Sequence, residues 1–188
     1  MSALPTLWLP IVASTVVVFV LSWIIHAVLP WHKGDLKKIP NQDQVQDALR
    51  PFNIAPGDYM LPGCDNLAEM NTAAFKDKMI RGPVLIATVK PNGTYNMGKS
   101  LLGWFIYCLV VTGIAAVVGA QSLIAVGGVE MHHGAARRII GIVAFVGYSA
   151  ALWQNVIWYS RSAAATLRST IDAIIYGVAT AFIFGWLS

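Results

Sequence analysis

The sequence predicts an all-helical integral membrane fold. Four transmembrane helices are expected, with a small α+β-like insert between helices 1 and 2. Two observations carry that reading. Four long apolar segments occupy residues 7–30, 101–127, 138–159 and 169–187, and one polar stretch, 31–99, separates the first from the second. The 188 residues are 56% hydrophobic and only 12% charged, whereas soluble domains average about 25% charged. A helix needs roughly 20 apolar residues to span the hydrocarbon, so four fit and a large soluble enzyme domain does not. Alternating strands of barrel type are absent, which leaves helices as the spanning elements.

Helix 1 starts near Pro10, a residue suited to a first helical turn. Pro30 stops it. The opening MSALPTLWLP lacks a basic region and no small-x-small cleavage motif follows, so a retained anchor is expected. In the insert, Asn41 and Gln44 have capping-box spacing and open a short helix that ends at about Arg50, before Pro51. The run PFNIAPGDYMLPG is rich in turn formers. Asn66 and Glu69 form a second capping box. The stripe Leu67, Met70, Ala74, Phe75 and Met79 then continues a helix to Gly82-Pro83. Residues 84–89 read as a strand or extended segment. So few elements make a thin core, and the insert is expected to lean on the helix ends or on a second chain.

Charge sets the orientation. Residues 31–99 carry nine basic residues and the connection near 160–168 carries Arg161 and Arg168; the connection near 128–138 has only Arg137 and Arg138. The positive-inside rule places the insert in the cytoplasm and both termini on the other side. Trp8 and Trp186 fit the outer interface, and Trp31, Trp104 and Trp158 the inner one.

Several functions are disfavoured. The net charge of +4 comes from basic residues beside apolar segments, without an Arg-rich helix or aromatic-basic platform, so no nucleic-acid partner is expected. No nucleophile elbow, P-loop, dinucleotide fingerprint or HExxH motif is present. Cys64 and Cys108 have no zinc spacing and are expected to be unpaired. His26 and His32 fall toward one face of the membrane and His132 and His133 toward the other, leaving two imidazoles per side against the usual three or four zinc ligands. Asp35 is a third candidate beside His32, and Glu130 or Met131 beside His133. No cofactor and no metal site is expected.

Two constellations stand out. Ala173, Gly177, Ala181 and Gly185 recur every four residues in the last span, a small-residue ridge that lets helices approach closely. It serves packing inside the bundle or docking onto another subunit. His26, Gln154, Asn155, Asp172 and Tyr176 fall at a similar depth beneath the cytoplasmic face, with Thr15, Ser22 and His26 on one helical face. Ionisable groups in a span are costly and mark function by default. The alternative is an interfacial cluster reached by water, with Asp172 complementing a helix N-terminus.

HAVLPWHKGDLKKIPNQDQV, PGDYMLP, RGPV and DAIIYGVATAFIFGWL resemble a group of small bacterial inner-membrane proteins of unknown function. The resemblance implies a bacterial inner membrane and four spans, and no functional residues. The sequence thus points to a non-enzymatic accessory or scaffold protein that packs with other membrane subunits or with itself and presents its insert to a partner. A small transporter, channel or proton-linked component using the polar cluster is the second reading, and a membrane enzyme the third.

Overall fold

A computed structural model describes residues 7–125 and 133–187. Four helical stretches are long and apolar enough to cross a membrane: Trp8–Val28, Met97–Ser122, Gly134–Tyr159 and Ala163–Leu187. The chain has the character of a multi-pass membrane protein. It divides into two compact units, one formed by 1–36 and 96–188, the other by 37–95.

The first unit is a ring of packed helices. Helix α1 (Trp8–Trp23) lies against α5 (Met97–Ala125) and α8 (Ala163–Leu187), and α6 (His133–Ser149) lies against the same two. Small side chains make that packing close. Ala115, Ala144 and Ala173 are fully buried beside Val18, Cys108 and Phe184. Thr15, Thr112 and Thr180 are buried too, each hydroxyl donating to the carbonyl four residues earlier at 2.8 Å. Such bonds satisfy polar groups where lipid offers no partner.

The first, third and fourth spans each show a local feature that the apolar pattern does not specify. Helix 1 ends before Pro30, which has no N–H to continue the ladder. Its last turn, Ile24–Val28, widens to a π-helix, with Leu29 N–H donating to Ile24 C=O at 3.0 Å. Leu29 is extended, as the residue before proline prefers, and a 3₁₀ turn follows at Pro30–His32. The third span breaks between α6 and α7 (Leu152–Tyr159). There the Tyr107 hydroxyl donates to Gly147 C=O at 2.6 Å, taking the acceptor that the amide of Ala151 would use in an unbroken helix. Helix α8 starts six residues earlier than 169. Ser162 caps it, its Oγ accepting from Ala165 N–H at 3.3 Å.

The second unit holds α2 (Gln42–Leu49), α3 (Leu67–Met70), α4 (Ala73–Arg81) and one antiparallel pair, β1 (Gly57–Leu61) with β2 (Leu85–Val89), in register Gly57↔Val89 to Leu61↔Leu85. Asn66 is the expected cap, its side chain accepting from Glu69 N–H at 2.9 Å. Asn41 is not: it adopts a left-handed conformation and makes no capping bond. The helix expected over the stripe from Leu67 to Met79 is two helices, because Thr72 recaps the chain by accepting from Phe75 N–H. Strand β1 falls within the stretch read as turns.

Candidate functional site

The π-turn and the bend at Pro30 return the chain onto itself, so His32 stacks on His26 with centroids 4.3 Å apart and planes 4° from parallel. His32 is the hub of a polar cluster within the first unit. Its Nε2 lies 2.8 Å from Asp172 Oδ2 and its Nδ1 2.6 Å from Asp35 Oδ2. Carboxylates only accept, so a proton on each ring nitrogen satisfies both contacts. Asp35 is held from its other side by Arg168, whose Nε donates to Oδ1 at 3.0 Å and whose Nη2 pairs with the same oxygen. Burial works to raise the Asp35 carboxyl. Hydrogen bonds from His32 and Arg168, reinforced by their charge, outweigh it and hold the group below its ordinary value.

Helix α8 supplies Arg168 and Asp172 one turn apart on the same face. Asp172 is only 3% exposed, and a buried carboxylate persists only when paired and hydrogen-bonded. His26, on the π-turn, is exposed, and its Nδ1–H donates to Ser22 C=O at 2.9 Å. Ser22 is fixed in turn by Trp104, whose Nε1–H donates to Ser22 Oγ at 2.7 Å. Trp104 therefore turns inward, unlike the exposed Trp8, Trp31, Trp158 and Trp186.

Of the five residues placed at one depth by sequence, His26 and Asp172 come together, with His32 between them. Tyr176 lies one turn along α8 from Asp172, buried, its hydroxyl without a hydrogen-bond partner among the described residues. Gln154 and Asn155 are exposed on α7; the break after Ser149 takes them off the line a continuous helix would follow. His32, Asp35 and Arg168 were missed as members. The sequence pairs Asp35 with His32 only as a metal-ligand candidate. Glu130, Met131 and His132 lie outside the described residues, as does the side chain of His133. Cys64 and Cys108 are both free.

The ridge on α8 faces α6. A Cβ added to Gly177 would meet Gly141 O at 2.7 Å, and one added to Gly141 would meet Ala181 Cβ at 3.0 Å. Gly185 sits against the Arg137 side chain, and Ala173 is in the core. This close approach belongs to one chain.

No protein-family model matches the sequence, and no curated protein or solved structure matches it significantly.

Proposed function

We propose that the chain is a membrane accessory or scaffold protein of a bacterial inner membrane, anchored by its four helices and presenting residues 37–95 to a partner protein on the cytoplasmic side. One observation carries this reading. Among large apolar side chains of the 37–95 unit, only Phe75 is buried, while Ile80, Leu67 and Phe52 are 82%, 79% and 73% exposed. Every residue of β1 is also exposed, and none of β2 is fully buried. A two-stranded sheet is marginal alone, and apolar surface concentrated in so small a unit marks an interaction site. The reading does not rest on the α8 ridge, because α6 packs closely against it at Gly177.

The experiment is affinity purification in gentle detergent, comparing the wild-type chain with Phe52→Ser/Ile80→Ser. A partner retained by the first and lost by the second supports the reading. A bare monomer in both sinks it.

The cluster around His32 favours the second reading, a proton- or ion-linked component. Against it, the bundle core away from the cluster is mostly apolar (Val18, Ala115, Ala116, Ala144 and Phe184) with only the hydroxyls of Ser14, Thr15, Thr112 and Thr180 among them, and Asp172 is the one charged side chain buried among the described residues.

A further inference from the structure

We propose that His26, His32 and Asp172 form a binding site for one divalent transition-metal ion. The proposal stands independently of the accessory reading. A ligand atom from each of these three residues lies within 4.8 Å of the other two. A tetrahedral site with bonds of roughly 2.0–2.1 Å has edges of about 3.3 Å. The two rings lie in parallel planes, so their in-plane lone pairs do not yet converge; the exposed ring of His26 must tilt out of the stack about its bond to Ser22 as the ligands close on the ion.

What distinguishes the trio from a chance gathering is what stands behind it. Histidines that bind metal almost always donate their other N–H to a carboxylate or a backbone carbonyl. Both histidines have that arrangement already. His32 Nδ1 faces Asp35, which Arg168 anchors; His26 Nδ1 donates to Ser22 C=O, which the Trp104–Ser22 bond positions. Each ring therefore offers Nε2. The metal takes the place of the proton that joins His32 Nε2 to Asp172 in the metal-free arrangement.

Ligand chemistry selects the ion. Two imidazoles and one carboxylate suit zinc, iron, nickel or copper, whereas calcium and magnesium prefer all-oxygen shells. Three protein ligands leave a coordination position for water or a small anion. A groove of about 470 Å³ between α1 and α5, lined by Phe19, Trp23, His26, Leu101 and Trp104, reaches His26 and offers a way in. A bound ion would tie the end of α1 to α8.

The test uses the full chain in mild detergent, stripped with a chelator and titrated with Zn²⁺ alone, with bound metal counted by mass spectrometry and affinity read by calorimetry. One equivalent per chain is expected. His26→Ala, an exposed substitution that spares the fold, weakens binding about tenfold or more, and Asp35→Asn keeps the stoichiometry but weakens binding about 10–100-fold. Replacing His132 and His133 together by Ala leaves binding unchanged. Wild-type protein that binds nothing above the stripped blank overturns the proposal. So does wild-type affinity in His26→Ala, or loss of binding in the His132/His133 variant alone. Asp172→Asn removes the carboxylate ligand and weakens binding as His26→Ala does; should it fail to fold, the wild-type and His26→Ala arms still decide.

Discussion

Gly177→Ala tests whether the small-residue ridge belongs to this chain or to a partner. The added Cβ would stand 2.7 Å from Gly141 O, 3.2 Å from Phe145 Cβ and 3.4 Å from Phe145 N. Two of those atoms are backbone, so relief requires α6 and α8 to separate rather than a side chain to swing. Overpacking of this kind costs about 1–3 kcal/mol, and a backbone clash sits in the upper half of that range. Alanine regains ~0.8–1.0 kcal/mol of helix propensity. The net loss is about 1–2 kcal/mol, which for a chain of this size lowers the melting midpoint by about 2–8 °C. Gly113→Ala is the control, because nothing lies within 4 Å of its added Cβ; it melts at or above the wild-type temperature. The assay is thermal unfolding of detergent-purified monomer, with size-exclusion chromatography on the same samples. A Gly177→Ala monomer that melts with the wild type, while an assembly of higher order disappears, would refute the packing argument and return the ridge to a partner.

Three further outcomes follow from the same contacts. Arg168→Lys keeps the charge beside Asp35 but loses the guanidinium fork; because the pair is partly exposed (29% and 21%), the loss is about 0.5–1 kcal/mol, seen as a midpoint lower by about 1–4 °C. An unchanged midpoint would say that Asp35 needs no anchor. Tyr107→Phe frees Gly147 C=O, so the amide of Ala151 gains protection in hydrogen exchange; equal exchange rates would mean that the hydroxyl is not what breaks the third span. Cys64, half-exposed, reacts with a membrane-impermeant maleimide only after cells are permeabilised, and buried Cys108 reacts only after denaturation. Labelling of Cys64 in intact cells would invert the orientation read from basic residues.

How much was legible in the sequence depended on whether the signal was periodic and continuous. The four spans were legible because each is a long apolar window, and the Asn66 cap because a capping box is local chemistry. Strand β1 was not, since all five of its residues are exposed and no alternation marks it. The start of α8 was missed although Ser162 is a good capping residue; reading it there would have put Arg168 and Asp172 on one face, a turn apart.

The cluster itself failed for a deeper reason. Counting residues from a span end gives depth only while the helix continues. Pro30 removes an N–H, the last turn widens, Leu29 extends, and the chain reverses. His32, six residues beyond His26, therefore lies on His26 instead of a turn and a half below it. Its bond to Asp172 then links positions 140 residues apart, which no local pattern announces. Sites tend to sit where local rules are broken and the cost is met elsewhere. π-turns are frequent at such places. Here the π-turn carries His26, the proline-forced bend carries His32, and the buried carboxylate that both approach is the most expensive group in the bundle to leave unpaired. The widened turn and the buried Asp172 thus explain one another: the bend brings the imidazole that the carboxylate requires.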